Sequence, residues 1–291
     1  MNGFESVHLT LRLFAITYEL STIIMHLKRW ITGIIALPFL IFFIIKGGAY
    51  FVVLIGIVCL LSMWEYFRIV SDAKGKVVSV IMIAGVLAGA LIILAASGSS
   101  LNLISGIIAL NMIICGLISI PQYKTNPLVL EKIKKQVQGI IYIPLLLSFL
   151  VLIRNQTDGM IWIFLILAVI FAGDTSAYYF GSYLGRHKLC PAVSPGKTIE
   201  GSIGGLAANL LIGSVVKLFF LPELPWAQSL FLFVIMGITG QAGDLFESML
   251  KRSSSFKDSG GLLPGHGGFL DRIDALLFAA PVAYLFKNYI M

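Results

Sequence analysis

Residues 248–274 read SMLKRSSSFKDSGGLLPGHGGFLDRID, a polar, glycine-rich stretch between apolar runs at 227–250 and 271–290. It holds eight ionisable side chains, Lys251, Arg252, Lys257, Asp258, His266, Asp271, Arg272 and Asp274, in a chain that is only 12% charged. Basic groups on flexible glycine backbone suit phosphate. Carboxylates one turn apart at a helix start suit a hard divalent cation. The stretch is too short to bury a core of its own, so the apolar segments beside it must hold it in place. What those segments are decides the fold.

Runs of the same kind recur at 30–45, 49–67, 77–96, 101–120, 137–153, 160–180 and 201–221. A membrane-crossing helix needs about 20 apolar residues. The chain is 58% hydrophobic with a mean hydropathy of +0.95, where soluble domains sit near 45–50% apolar. These features predict an all-α, polytopic integral membrane protein with about nine transmembrane helices. The first run is short and contains Pro38, which predicts a kinked or re-entrant segment. Residues 1–24 are weakly apolar, without a basic n-region or a small-residue cleavage site, and read as a dispensable extension. Residues 25–291 then form one membrane domain, with 25–160 mainly scaffold and 161–291 carrying the chemistry.

Lysine and arginine set the orientation. With the N-terminus inside, cytoplasmic segments carry Lys28, Arg29, Arg68, Lys74, Lys76, Lys124, Lys132, Lys134, Lys135, Arg186, Lys188, Lys197, Lys251, Arg252 and Lys257, and outer segments only Lys46, Arg154 and Lys287. The expectation is an N-terminus in the cytoplasm and a C-terminus outside. The polar loops at 181–200 and 251–270 then both face the cytoplasm, where nucleotides are. The net charge of +7 fits loops beside anionic lipid and predicts no nucleic-acid partner.

Asp174 and Asp244 fall near the cytoplasmic ends of their spans. A carboxylate at that depth is costly unless paired, hydrated or metal-bound. Asp244, Glu247, Ser248 and Lys251 share one helical face, and Asp271 and Asp274 lie one turn apart. Three helix ends can therefore converge carboxylates on one cavity. Taken singly, each Asp also reads as a helix–helix polar contact or an ion pair with Lys251 or Arg272. In the 181–200 loop, Ser194-Pro195-Gly196-Lys197-Thr198 ends like a Walker A motif, but residue 191 is Pro where that motif needs Gly, and no βαβ unit precedes it. Lys197 and the two hydroxyls beside a helix start still suit phosphate oxygens. Thr198 and Glu200 equally suit the capping of that helix. His187 and His266 form no HxxxH, and Cys59, Cys115 and Cys190 form no CxxC, so neither a zinc site nor a disulfide framework is expected. No Gly-x-Ser-x-Gly occurs in the polar loops, which gives a nucleophilic hydrolase little support. Phe219, Phe220, Phe231 and Phe233 read as lipid-facing surface.

The 248–274 stretch resembles the signature of the phosphatidate cytidylyltransferases, also called CDP-diacylglycerol synthases. That signature runs Ser-x-apolar-Lys-Arg, four residues, Lys-Asp, a small-residue turn, then His-Gly-Gly-apolar-x-Asp-Arg-apolar-Asp. Ser248, Lys251, Arg252, Lys257, Asp258, His266, Gly267, Gly268, Asp271, Arg272 and Asp274 fill every fixed position. The segment from Ser194 to Gly201 is similar to the family's Ser-Pro-x-Lys-Thr-x-Glu-Gly, and the likeness extends over residues 25–291.

The resemblance implies transfer of CMP from CTP to phosphatidic acid, giving CDP-diacylglycerol and pyrophosphate, in phospholipid biosynthesis at a cell inner membrane. It implies magnesium dependence and admits a potassium ion in the same site; a homodimer is left open. The implied metal ligands are Asp244 and Asp271, with Asp174 and Asp274 in support. Lys251 and Arg272 join Asp244 and Asp271 as catalytic groups. Ser194, Lys197, Thr198 and Glu200 are implied at the nucleotide, and Arg252, Lys257 and His266 at the lipid headgroup or the pyrophosphate. A secondary transporter and a CTP-dependent lipid kinase are the competing readings. The first leaves the phosphate-type loops unexplained, and the second differs by releasing CDP in place of pyrophosphate.

Overall fold

A computed structural model of the chain describes residues 34, 36–71, 79–254, 256, 259–260 and 267–290. The extension at 1–24 and Lys257, Asp258 and His266 lie outside the described residues. The apolar runs become α1 (Ala36–Lys46), α2 (Gly48–Val70), α3 (Val80–Ser97), α4 (Leu101–Gln122), α5 (Val129–Ile140), α6 (Leu146–Arg154), α7 (Gly159–Leu184), α8 (Ile199–Phe220), α9 (Trp226–Ser253) and α10 (Leu270–Tyr289). Several starts are written in the sequence. The Ser79, Ser100 and Thr198 hydroxyls accept hydrogen bonds from the Met82, Leu103 and Gly201 amides, capping α3, α4 and α8. The α1–α2 break falls at Gly47, whose φ of 62° favours glycine. There the Arg154 guanidinium donates to the Ile44 and Ile45 carbonyls at the end of α1.

Counting Val129–Arg154 as one, seven helices among the described residues are long and apolar enough to cross a membrane. The chain is a multi-pass membrane protein. α1 is shorter than those seven, and α10 carries Asp271, Arg272, Asp274 and Lys287. α5 and α6 form a single rod interrupted by a π-turn at Ile141–Leu145, where Pro144 supplies no amide for the ladder. α5 opens as an amphipathic helix, with Val129, Ile133, Gln136 and Ile140 buried and Glu131 and Lys134 exposed.

The all-helical expectation holds, and one other is corrected. Among the described residues the loop at 181–200 adds a short antiparallel hairpin, β1 (Lys188–Cys190) with β2 (Ser194–Thr198), to the helical fold. Phe233 is fully buried, its ring filling the space left by Gly213, whereas Phe219, Phe220 and Phe231 are exposed as expected.

Close helix packing brings the chemistry together. A Cβ on Gly201 of α8 would collide with the Ala177 carbonyl of α7, and one on Gly243 of α9 with the Asp274 carbonyl of α10. Small residues let backbones approach where lipid offers no hydrophobic drive for helix association. Buried polar side chains clasp the N-terminal helices. Gln136 Nε2 donates to Asn111 Oδ1 at 2.7 Å, and Asn111 Nδ2 donates to the Ala84 carbonyl at 3.2 Å. An apolar groove of about 740 Å³ runs between α4, the π-turn rod, α9 and α10. Tyr142, Phe246 and Phe278 line it with rings 4.9 to 6.2 Å apart.

Candidate active site

A polar cavity of about 460 Å³ opens where α7, the hairpin, α8 and α9 meet, a size suited to a small-molecule ligand. Asp174 of α7, Ser194 and Lys197 of β2, Thr198, and Gln241 and Asp244 of α9 face it. Lys197 Nζ pairs with Asp244 Oδ2 at 2.6 Å, tying the hairpin to α9. Ser202 Oγ bonds Gln241 Oε1, and Gln241 Nε2 donates to the Ser202 carbonyl at 3.1 Å, which fixes the α8–α9 wall. Asp274 reaches the same region from α10. The charges of Asp244 and Asp174 act on Asp274, and those of Asp244 and Lys197 act on Asp174. Asp174 and Asp244 thus share Lys197 while Lys251 acts on Asp274, so three carboxylates face two cations, an acidic excess that favours a metal ion.

A second cluster sits where the polar stretch returns to the bundle. Glu247, fully buried, pairs with Lys251 one turn on. Lys251 Nζ also pairs with Asp271 Oδ1 at 2.7 Å. Asp271 Oδ2 accepts from the Ser259 amide at 3.1 Å, the Ser259 hydroxyl at 2.9 Å and the Gly268 amide at 2.9 Å. Ser259 and Gly268 are thereby held against the start of α10.

The model of the cytidylyltransferase family matches residues 27–290. The chain belongs to the cytidylyltransferase family. It is 32% identical to the phosphatidate cytidylyltransferase of Bacillus subtilis (strain 168) over 261 residues, 88% of this chain and 96% of that protein. The enzyme of the same name from Staphylococcus epidermidis (strain ATCC 35984 / DSM 28319 / BCRC 17069 / CCUG 31568 / BM 3577 / RP62A) is 30% identical over 87% of this chain and 96% of its own length. That of Staphylococcus haemolyticus (strain JCSC1435) is 44% identical over 137 residues, 47% of this chain and 52% of its own length.

In this cytidylyltransferase the residues singled out from sequence fall into three groups. Asp174, Asp244, Ser194, Lys197 and Thr198 meet at the polar cavity, with Asp274 beside them. Lys251 and Asp271 form the second cluster, and Arg272 follows Asp271 on the exposed side of α10. Glu200 and Arg252 turn to holding the hairpin. Glu200 accepts from the Arg186 and His187 amides at 3.0 and 3.2 Å and pairs with His187 Nδ1 at 2.6 Å. Arg252 Nε donates to the Val193 carbonyl at 3.2 Å. Thr198 serves its cap while lining the cavity.

Among the described residues no three His, Cys, Asp or Glu side chains form a ready-made metal cage. Magnesium does not need one, because it keeps several waters and is held by one or two carboxylates together with substrate phosphates. The hard oxygen donors of Asp174, Asp244 and Asp274 fit that requirement.

Sequence reasoning missed Glu65 and Arg68, which lie on α2 in the half assigned to scaffold. Glu65 is fully buried and accepts from the Leu270 amide at 2.9 Å, and Arg68 Nη2 donates to the Ser259 carbonyl. The available signal was a lone carboxylate inside the apolar run 49–67, which at that depth demands a partner. Gln241 and Ser202 were missed because neutral polar pairs inside long spans leave no pattern of charge.

Proposed function

We propose that this cytidylyltransferase takes phosphatidic acid as its acceptor. An oxygen of the phosphatidate phosphate forms a bond to the α-phosphorus of CTP, the α–β phosphoanhydride bond breaks, and pyrophosphate leaves. The monoester is already anionic at neutral pH, so no strong general base is required. The task is to bring two anions together and to stabilise charge on the α-phosphate and the leaving group. The observation that carries the reading is the polar cavity, where Lys197 and the Ser194 and Thr198 hydroxyls stand beside the Asp174 and Asp244 carboxylates.

Lys197 and the two hydroxyls hold nucleotide phosphates. Lys251 holds the lipid phosphate or the pyrophosphate, with Arg252, Arg272, Lys257 and His266 assigned to the same task from sequence. Asp174, Asp244 and Asp274 would hold magnesium, with Asp271 in support and a potassium ion as a second occupant. When bound, the ion neutralises charge on the transferring phosphate. The seven apolar spans, α1 and α10 together make nine crossings, with the N-terminus cytoplasmic, the C-terminus outside and the site on the cytoplasmic side of a bacterial inner membrane.

Pyrophosphate release by detergent-purified protein tests the reading, with CTP, phosphatidic acid and magnesium each omitted in turn. Release that needs all three supports it. No release from folded protein under any lipid or metal condition sinks it.

A further inference from the structure

α10 begins without a cap of its own. Its N-cap residue is Phe269, which offers no side-chain hydrogen bond, so the first amides of the helix need partners from elsewhere. The Leu270 amide finds one in Glu65 Oε2 at 2.9 Å, on a helix 205 residues away in sequence. The same oxygen lies 3.1 Å from Ser259 Oγ, and that hydroxyl is in turn 2.9 Å from Asp271 Oδ2. One turn further along α2, Arg68 donates to the Ser259 carbonyl. The backbone accommodates Glu65 closely, since a Cβ on Gly260 or Gly268 would collide with its carboxylate. Glu65 is fully buried. A buried carboxylate is a poor device for bundle stability, because a well-packed apolar side chain does as well or better. What an apolar side chain cannot do is fix an amide and a hydroxyl in one place.

We propose that Glu65 and Arg68 are positioning residues for the reaction. Glu65 caps α10 from α2, and together with Arg68 it clamps Ser259, so that Asp271 is held against Lys251 and the register of Asp274 is set by the opposite half of the molecule. Neither residue lines the polar cavity where the nucleotide is placed. Their loss therefore acts on turnover and leaves nucleotide affinity nearly alone.

The inference rests on the cytidylyl-transfer reading, and the experiment separates the two. The wild type, Glu65→Ala, Glu65→Gln and Arg68→Gln are purified in detergent, and kcat and the KM for CTP are measured by pyrophosphate release. Amide exchange is followed across peptides covering 267–274 and α7. Glu65→Ala should lower kcat about 100-fold, the cost of a small displacement of a reacting constellation, with the KM for CTP within about threefold and faster exchange confined to 267–274. Glu65→Gln keeps one acceptor oxygen and should recover about tenfold of that loss. Arg68→Gln should lower kcat about tenfold with the same local exchange, and it carries the test if Glu65→Ala does not survive purification. A kcat near that of the wild type in these variants overturns the proposal. So does accelerated exchange throughout α7, which would mark a general loss of stability. An inactive wild type sinks the transfer reading itself, which is a different result.

Discussion

Asp244 is the residue on which the polar cavity turns, since it faces Asp174, acts on Asp274 and pairs with Lys197. Replacing it with Asn keeps the shape and removes the charge. Asp244→Asn should lower pyrophosphate release by about 100- to 1,000-fold, the usual cost of losing a group aimed at developing charge. Thermal stability in detergent should hold, because the deletion also removes one of three mutually repelling carboxylates. Retained turnover would remove Asp244 from the metal role. Glu200→Ala should behave differently. Its contacts run to Arg186 and His187 at the base of the hairpin, so the expected change is a higher KM for CTP with kcat nearly intact, read from the same assay. The sequence made Asp174, Asp244, Lys197 and Thr198 legible because charge inside apolar runs, and hydroxyls at a helix start, are local signals. It left Glu65 unread, because its partners Ser259 and Leu270 are about 200 residues away and no spacing rule spans that distance.

At the scale of elements, the contact between α9 and α10 decides whether the carboxylates meet. Gly243 stands directly beside Asp244, and its missing side chain is the space that the Asp274 carbonyl occupies. Gly243→Val should force the two helices apart, costing about 1–3 kcal/mol as an overpacking change and most of the activity. A thermal-shift assay and pyrophosphate release together check it. A variant that is less stable yet fully active would show that this helix contact is packing alone. Helix positions were readable from hydropathy to within a few residues for most spans. The hairpin was not, because strands of three and five residues are too short for alternation to show, and a Pro195-Gly196 pair reads as loop. The π-turn escaped as well, since Pro144 predicts a disturbance in the helix without saying which form it takes.

For the whole molecule, the expectation is an odd number of crossings with the termini on opposite faces. A fluorescent protein fused after Met291 should stay dark in the bacterial periplasm, and alkaline phosphatase at the same place should be active. The reverse pattern would overturn the N-inside orientation and with it the cytoplasmic placement of the site. The sequence expectation places scaffold before residue 160 and chemistry after it, and α2 lies in the first of these parts. Glu65 and Arg68 carry the N-terminal half into the second cluster. The Lys197–Asp244 pair has a further consequence at this scale. Each side chain is the other's counter-charge, so an anion that takes Lys197 uncovers Asp244 for a cation, and a cation that takes Asp244 frees Lys197 for an anion. A nucleotide and a divalent ion taken up there, as proposed, would then be thermodynamically linked, and the linkage reciprocal. Magnesium should tighten CTP and CTP should tighten magnesium by one and the same factor in calorimetric titrations, and Lys197→Met should shrink that factor toward unity.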